Sequence, residues 1–183
     1  DLNEVSQKTY YLLLNLLEWS RTQRDKIVLS PAYHKLKPML EETLEIFKTM
    51  IENKNLKAEL NIHDEIKVYA DQNSLKTVFR NLLSNAIKFT PRDKSIEISA
   101  IQKSEIVEVR VRDEGIGIAP ENIHKLFNIE NSYTSEGTEQ EKGTGLGLML
   151  CKNFVEKNNG TMHVESQLEK GTTFFIHLPV HPA

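Results

Sequence analysis

Residues that could bind a metal ion together with phosphate lie in the stretch FRNLLSNAIKFTP, residues 79–91. A helix through this stretch would project Asn81, Asn85 and Lys88 from one face, because they are spaced i, i+4, i+7. Asparagine is a poor helix former, so two asparagines on one stripe need an explanation. A carboxamide oxygen is a neutral ligand for Mg²⁺, and a nearby ammonium can contact the phosphates that this ion bridges. A solvated polar face is the alternative interpretation.

A second candidate site lies in VRVRDEGIGIAP, residues 109–120. A strand ending at Asp113 would present a carboxylate that can accept a hydrogen bond from an exocyclic amine such as that of adenine. Gly115 and Gly117 permit positive φ and a close approach to a flat ligand. A tight turn between a strand and a helix would explain the same residues. The dinucleotide-binding fingerprint does not fit, because its third glycine would fall at Pro120.

The third candidate is the glycine-rich stretch EKGTGLGLML, residues 141–150. Gly143, Gly145 and Gly147 would expose backbone N–H groups where a helix begins, and a helix N-terminus favours phosphate. The stretch lacks the ending of a P-loop, and Leu148 stands where a protein-kinase glycine loop has glycine. By itself this motif is a weak signal.

Hydrophobic periodicity predicts the elements that must position these residues. Residues 1–27 and 35–53 have the pattern of amphipathic helices, and the first has no second long helix in this chain to meet. Asp71 is a plausible N-cap for a helix that continues to about residue 88, ended by Thr90-Pro91. We further predict a short helix from Pro120 to about Phe127, a helix from the glycines to about Lys157, and strands at LKAELNI, EIKVYA, SIEISAIQ, IVEVRVRD, TMHVESQ and TTFFIHLP.

This order of elements predicts an α/β fold of two layers, a mixed sheet with helices on one face. The polar loop from Asn128 to Lys142 is long enough to indicate binding or movement. The net charge of −3 over 183 residues gives no positive field for nucleic acid. A single cysteine, Cys151, excludes an internal disulfide and fits a reducing compartment. The chain begins within a helical pattern, and we expect it to be a fragment of a longer protein.

Taken together and in order, the motifs resemble the N, G1, F and G2 boxes of the histidine-kinase catalytic domain, in the GHKL ATPase superfamily. The matching stretches are NLLSNAIKFT, DEGIGI, IHKLF and GTGLGL, followed by GTTFFIHLP. LLNLLEWSRTQRDKI is similar to the second helix of the dimerisation bundle in sensor kinases. The resemblance implies a partial dimerisation and phosphotransfer helix at residues 1–30 and a GHKL-type (Bergerat) ATP-binding domain at residues 31–183.

The resemblance also implies roles for individual residues in binding ATP and Mg²⁺. Asp113 would read the adenine amine with Thr172 assisting through water, and Asn85 would hold Mg²⁺ with Asn81 nearby. Lys88 would contact phosphate, and Phe127 would hinge a lid formed by residues 128–142. The remaining expected contacts are the base pocket at Gly115 and Gly117, a basic lid residue at Lys142, and the phosphate loop of Gly143, Thr144, Gly145, Leu146 and Gly147.

One position separates the branches of this superfamily. ATP-hydrolysing relatives place a glutamate where Asn81 stands, because attacking water needs a base to take its proton. Asn81 therefore favours transfer to a nucleophilic side chain such as neutral imidazole. The implied function is transfer of the γ-phosphoryl group of ATP to histidine. An ATPase or serine kinase of the same superfamily and a non-catalytic nucleotide-sensing module are the alternatives.

The phosphoacceptor histidine is expected outside this chain. Only His34 is tempting, but its proline follows four residues on, where the family spacing is five, and Lys35 replaces the acidic residue. The implied partners are a response regulator receiver domain and, in the parent protein, its own dimerisation helix and a second protomer; no nucleic acid is expected. The resemblance also leads us to expect a cytoplasmic location, with the parent protein anchored in a membrane.

Overall fold

The computed structural model describes residues 28–128, 136–139, 141 and 145–182. The proposed bundle helix at residues 1–27 lies outside the described residues. The helices within the described ranges are α1 (Leu36–Asn53), α2 (Gln72–Phe89), α3 (Pro120–Ile123) and α4 (Gly147–Lys157). The strands are β1 (Ala32–Lys35), β2 (Lys57–Asn61), β3 (Lys67–Ala70), β4 (Ser95–Lys103), β5 (Ile106–Asp113), β6 (Thr161–Gln167) and β7 (Gly171–Pro179).

Five strands form a mixed sheet in the order β2-β4-β5-β7-β6. β2 pairs with β4 in parallel, whereas the other neighbours are antiparallel. β1 and β3 form a separate antiparallel pair with Tyr33 opposite Tyr69. The predicted mixed sheet is therefore confirmed. The short strand β1 was not predicted, since no element was expected between the helical patterns at residues 1–27 and 35–53.

The core lies between one face of this sheet and the helices α1, α2 and α4. Alternate residues of the central strands are buried on that face, as the period of two in a half-buried strand requires. They join the buried faces of the three helices in one cluster. The sheet contributes Ile96, Ile98, Val107, Val109, Val111, Phe174, Ile176 and Leu178, and α2 contributes Leu75, Val78, Phe79, Leu82, Leu83, Ala86 and Ile87. The predicted arrangement with helices on one face is confirmed.

A buried hydrogen-bond network fixes the start of α2 against the end of α4. The Asp71 carboxylate accepts a hydrogen bond from Ser74 N at 2.8 Å, which confirms the predicted N-cap. Asn158 Oδ1 accepts from Asp71 N at 2.6 Å, and Asn158 Nδ2 donates to Ser74 Oγ at 2.8 Å. These bonds satisfy polar groups that would destabilise the core if unpaired.

The predicted short helix at residues 120–127 is only partly correct. α3 ends at Ile123, and the chain continues to Asn128 through i→i+3 turns. Lys125 N donates to Asn122 O at 3.0 Å and Leu126 N donates to Ile123 O at 3.3 Å. Such tight turns take over where few residues remain to propagate an α-helix.

The opposite face of the sheet carries a charged cluster around Glu108. The Glu108 side chain is 8% exposed, and its carboxylate accepts hydrogen bonds from Lys103 Nζ at 2.6 Å and from the Arg110 guanidinium. His177 Nε2 lies 3.2 Å from the same carboxylate. The Lys103 hydrogen bond is the main reason that the pKa of Glu108 is lowered to about 2.

No helix of the described residues has the length and apolar character needed to cross a membrane.

Candidate functional site

Helix α2 carries the polar stripe predicted from its spacing. Asn81 Nδ2 donates to Thr77 O at 2.9 Å, one turn earlier in the helix. Asn85 is partly exposed, and its carboxamide makes no hydrogen bond to the described residues. Burial lowers the pKa of Lys88, although the nearby Glu141 carboxylate partly opposes that effect. Lys88 Nζ also lies 4.5 Å from the centroid of the Phe89 ring. The stripe therefore offers amide oxygens and an ammonium on one surface.

Asp113 ends β5 as a buried carboxylate, 5% exposed. Its Oδ1 accepts hydrogen bonds from Gly115 N at 2.8 Å and Thr172 N at 3.1 Å. Its Oδ2 accepts none from the described residues. Burial raises the pKa of Asp113 to about 6, while the two N–H donors act in the opposite direction. One oxygen is thus fixed by the backbone, and the other remains able to accept from a ligand.

Glycines let the chain approach closely around this carboxylate. A Cβ at Gly115 would lie 2.5 Å from Asp113 Oδ1 and 2.6 Å from Phe89 O. Gly117 has φ +69°, and a Cβ there would lie 2.0 Å from Gln167 O. Ile116 N donates to Phe89 O at 3.1 Å, so this turn is fastened to the C-terminal end of α2. The two glycines predicted to line a flat ligand are needed for this packing.

The start of α4 meets the other end of the polar stripe. A Cβ at Gly147 would lie 2.7 Å from Asn81 Oδ1, so the helix start packs directly on that amide. Gly145 has φ +72°, and Leu146 is the N-cap residue, whose own side chain makes no capping hydrogen bond. Backbone N–H groups in the first turn of a helix can donate to an anionic ligand. Lys142, Gly143 and Thr144 lie outside the described residues, so their predicted contacts stay predictions.

Two separate segments therefore pack on α2 at either end of its polar stripe. Gly147 packs at Asn81, the turn at Gly115 packs at Phe89, and Asn85 lies midway between them on the same face. From Asn81 to Phe89 the helix rises about 12 Å, since each of these eight steps adds 1.5 Å. The surface presents a buried acceptor at one end and helix-start donors at the other. This arrangement can hold a molecule that has an amine-bearing flat ring and an anionic tail.

Phe127 lies near Lys152 of α4, and the described part of the predicted lid contacts the end of α2. Phe127 is partly buried against the core, and Lys152 Nζ is 5.5 Å from the centroid of its ring. Of the loop from 128 to 142, the structure describes residues 128, 136–139 and 141. Gly137 N donates to Glu141 O at 2.9 Å, and Thr138 N donates to Lys88 O at 3.0 Å. This part of the loop forms a turn docked on the end of α2, and the predicted hinge and lid roles stay predictions.

Thr172 contacts Asp113 in a way that the sequence did not indicate. Its backbone N–H, rather than its hydroxyl, donates to the carboxylate, and Thr172 Oγ1 lies 2.9 Å from Ser166 Oγ. Ser166 Oγ also accepts from Ile118 N at 2.8 Å, so it ties β6 to the glycine turn. No motif points to Ser166. The water-mediated contact expected for Thr172 stays a prediction.

Two further residues at the site were missed. Gly171 was expected only as the turn of a hairpin, yet it has φ +102° and a Cβ there would lie 1.9 Å from Asp113 O. Lys54 lies in a polar turn of the sequence, yet it is 4% exposed and its ammonium binds the C-terminal end of α2. The pair Gly171-Thr172 at the strand start was a usable signal for the glycine. Lys54 had none.

His34 does not have the position of an exposed phosphoacceptor. It lies in β1 opposite Val68, and its Nε2 is buried without a hydrogen-bond partner among the described residues. His163 and His177 lie in β6 and β7, with their ring centroids 5.4 Å apart on the sheet face away from α2. The described residues contain no cluster of three or more His, Cys, Asp or Glu side chains that could hold a metal ion.

Comparison with known proteins relates this chain to histidine kinases. Residues 70–182 match the family described as "Histidine kinase-, DNA gyrase B-, and HSP90-like ATPase". Histidine protein kinase DivJ of Caulobacter vibrioides is 40% identical over 118 residues, which cover 63% of this chain and 19% of that protein. Sporulation kinase A of Bacillus subtilis is 43% identical over 116 residues, which cover 63% of this chain and 18% of that protein. The matches thus span about a fifth of each relative.

A solved structure extends the similarity over nearly the whole chain. The crystal structure of histidine kinase ThkA in complex with response regulator protein TrrA is 26% identical, with a TM-score of 0.76. The match covers 99% of this chain and 49% of that one. The resemblance drawn from the four sequence motifs is therefore confirmed.

Proposed function

We propose, since this chain belongs to the family of histidine kinase-, DNA gyrase B-, and HSP90-like ATPases, that it is the ATP-binding catalytic portion of a two-component sensor histidine kinase. Its reaction would transfer the γ-phosphoryl group of ATP to a histidine outside this chain. The observation that carries the proposal is the buried Asp113 carboxylate, fixed through one oxygen only, at the end of a helix surface lined by Asn81 and Asn85.

Asp113 would select adenine. Above its raised pKa of about 6 the carboxylate is ionised, and Oδ2 can accept from the exocyclic amine at the adenine 6-position. Guanine presents a carbonyl oxygen at the corresponding position, and two acceptors facing each other repel. If water stood in place of the Asp113 carboxylate, the site would not discriminate between adenine and guanine, because water can both donate and accept hydrogen bonds. The role rests on the geometry of one buried side chain.

The residues of α2 fit a Mg²⁺-bound triphosphate. Asn85 has an amide oxygen without a partner among the described residues, beside Asn81 on the same face, and Mg²⁺ prefers a few such oxygen ligands together with water and phosphate. When bound, Mg²⁺ supplies positive charge that offsets the charge on the phosphates. Lys88 and the N-terminal end of α4 add donors on either side. Positioning and charge neutralisation dominate phosphoryl transfer, and these residues supply both.

Asn81 favours a kinase over an ATPase. The Asn81 carboxamide cannot take a proton from attacking water, and its Nδ2 is already donating to Thr77 O. A histidine acceptor brings its own nucleophilic nitrogen and needs no such base. The proposed acceptor lies outside this chain, in keeping with the buried Nε2 of His34.

The proposed partners follow from the same reaction. A phosphohistidine would pass its phosphoryl group to a response regulator receiver domain, and histidine kinase ThkA has been crystallised with such a regulator. In the parent protein we propose a dimerisation helix within residues 1–30 and a homodimer. A cytoplasmic location is proposed because Cys151 is a buried free thiol, which suits a reducing compartment.

Nucleotide titration tests the binding part of the proposal. In calorimetry with MgCl₂, AMPPNP should bind and GMPPNP should not. Asn85→Ala should weaken AMPPNP binding in Mg²⁺ by about tenfold or more, the loss expected for a contact to a charged group. With EDTA present the variant and the unaltered chain should bind alike. Asn73→Ala, on the exposed side of the same helix, is the matched control. Absence of AMPPNP binding by the unaltered chain would refute the proposal.

A transfer assay tests the kinase part. The chain is incubated with γ-labelled ATP and a separate protein that carries an acceptor helix. Acid-labile phosphate on the acceptor protein is the expected result. Free phosphate without labelled protein would favour the ATPase alternative, whereas label on this chain alone would overturn the placement of the acceptor outside it.

A further inference from the structure

Lys54 is a buried lysine that joins two parts of the site. It follows α1, and its side chain is 5% exposed. Buried ammonium groups persist only where oxygen atoms replace the lost water. The oxygen atoms around Lys54 Nζ are Thr138 Oγ1 at 2.7 Å, Ile87 O at 2.8 Å, Lys88 O and Thr90 O at 3.2 Å each, and Glu141 Oε1 at 3.5 Å.

Three of these oxygens are backbone carbonyls at the C-terminal end of α2. Carbonyl groups in the last turn of a helix have no partner further along the helix, and the helix dipole makes this end favourable for a cation. Lys54 therefore holds the turn that carries Lys88. No exposed lysine could do this as firmly, because exposed ion pairs are weak and screened.

The remaining oxygens belong to the docked turn, which comprises Gly137, Thr138, Glu139 and Glu141. Thr138 N donates to Lys88 O at 3.0 Å, and Glu139 N donates to Glu141 Oε2 at 2.8 Å. A Cβ at Gly137 would lie 2.5 Å from Lys88 Cγ, so this turn packs against the aliphatic part of that lysine. The turn is thus attached to α2 at the residue proposed to contact phosphate.

Glu141 lies close to two ammonium groups. Its carboxylate is 3.5 Å from Lys54 Nζ, and its charge raises the pKa of Lys88 against the effect of burial. An incoming triphosphate would compete with this carboxylate for Lys88, since two anions near one cation repel each other. The position of Glu141 therefore affects how strongly Lys88 can attract phosphate.

We propose that Lys54 is a positioning residue that holds the docked turn on α2 and keeps the Glu141 carboxylate from neutralising Lys88. The proposal rests on the proposed function, in which Lys88 contacts the phosphates of ATP. Lys54 acts through Glu141 and touches no nucleotide atom. Without its ammonium, the Glu141 charge acts on Lys88 unopposed by Lys54, and phosphate binding is weakened while the base site is left unchanged.

Displacement of trinitrophenyl-ATP by AMPPNP and by adenosine separates the phosphate contribution from the base contribution. Lys54→Met should weaken AMPPNP binding by about tenfold, as expected for a charge-assisted contact, and adenosine binding by less than about twofold. Adding Glu141→Gln should bring AMPPNP binding back to within about threefold of the unaltered chain. If Lys54 had only a structural role, adding Glu141→Gln would not restore AMPPNP binding. Lys48→Met, on the exposed side of α1, is the control.

Two outcomes would overturn the proposal: equal weakening of AMPPNP and adenosine in Lys54→Met, or no recovery in the double variant. If Lys54→Met does not fold, Glu141→Gln alone decides, since it should bind AMPPNP at least as tightly as the unaltered chain, and weaker binding contradicts the proposal. Glu139→Gln is its matched control, because Glu139 pairs with Arg92 at the surface.

Amide hydrogen exchange keeps the test separate from the proposed function. The Thr138 N–H is hydrogen-bonded to Lys88 O and should be protected in the unaltered chain without nucleotide. Its protection should fall at least about tenfold in Lys54→Met and remain in Lys54→Arg. Failure of the unaltered chain to bind either probe would refute ATP binding, whereas unchanged Thr138 exchange in Lys54→Met would refute the role of Lys54.

Discussion

Replacing Asp113 by asparagine should stabilise the folded chain while removing its affinity for adenine nucleotides. Asparagine has the same shape, and its Oδ1 can keep the hydrogen bonds from Gly115 N and Thr172 N. The change removes the charge and replaces Oδ2 by an amide NH₂. The new group cannot accept a hydrogen bond from the adenine amine. Asp113→Asn therefore separates the binding role of this carboxylate from its effect on folding.

The size and sign of the stability change follow from the pKa of Asp113. Burial raises it to about 6 in the folded chain from an ordinary 3.8. The folded state therefore binds the proton more tightly than the unfolded state, and stability falls as the pH rises from about 4 to about 6. A pKa difference of about 2, at about 1.4 kcal/mol per unit, corresponds to about 3 kcal/mol at pH 7 and above. Asparagine does not incur this loss.

Urea denaturation of the nucleotide-free chain at several pH values measures the effect. At pH 8 the Asp113→Asn variant should be more stable by up to about 3 kcal/mol, and the difference should shrink towards zero as the pH approaches 4. For a domain of this size the same gain corresponds to a rise in melting temperature of about 6–12 °C. Affinity for AMPPNP should be lost at every pH.

Two results would refute this reasoning. A variant that is less stable than the unaltered chain at pH 8 would mean that the carboxylate contributes favourably to the apo fold. A stability gain that does not depend on pH would mean that charge burial is not its cause. Asp93→Asn is the control, because this exposed carboxyl would keep an acceptor for Asn55 Nδ2 after the change. It should show no comparable gain.

Two other substitutions test the packing of the sheet ends and faces. Gly117→Ala should lower the free energy of unfolding by about 1–3 kcal/mol and weaken AMPPNP binding. The reason is that Gly117 has φ +69° and that a Cβ there would lie 2.0 Å from Gln167 O. A melting curve measures the loss of stability, and a nucleotide titration measures the loss of affinity. Glu108→Gln should destabilise the chain at pH 7, since the lowered pKa of about 2 marks a carboxylate stabilised by Lys103 and Arg110. In urea titrations its deficit should be complete above pH 4.5 and should disappear as the pH falls towards 2, and a deficit independent of pH would contradict this.

The elements that sequence predicted best are those with a strong local pattern. The helix expected to continue to about residue 88 runs from Gln72 to Phe89, and Asp71 caps it as expected. The hairpin of β4 and β5 also lies where alternation placed it. In both cases burial of one face repeats at the period of the element, so the signal is contained in the residues themselves. No knowledge of distant neighbours was needed.

The features that sequence did not predict depend on distant neighbours. β1 has four residues, all exposed or partly exposed, so no alternation marks it, and its pairing with β3 is a tertiary event. The parallel pairing of β2 with β4 likewise joins segments separated by α2. Lys54 belongs to a polar turn whose neighbours Asn53 and Asn55 suggest exposure. Only the fold brings the end of α2 to it.

The candidate site shows the same division. Asp113, Gly115 and Gly117 could be selected because their residue types have specific chemical and conformational uses. The pair Gly171-Thr172 marked Gly171 as a candidate, but its contact could not be inferred, because its close approach to Asp113 O arises from the pairing of β5 with β7. Ser166 is likewise defined by its partners on neighbouring strands. Motifs identified the residues proposed to contact the ligand, and tertiary pairing supplied those that support them.

This support explains how a buried carboxylate persists in a domain of marginal stability. Glycine at positions 115 and 171 lets two chain segments approach Asp113 closely, and backbone N–H groups from Gly115 and Thr172 bind one of its oxygens. These donors offset part of the cost of burying the charge but leave the pKa raised. A nucleotide amine at Oδ2 would add the missing donor. On the proposed function, nucleotide binding would offset the remaining cost of burying this charge, and selectivity for adenine would arise from the same unfilled hydrogen bond.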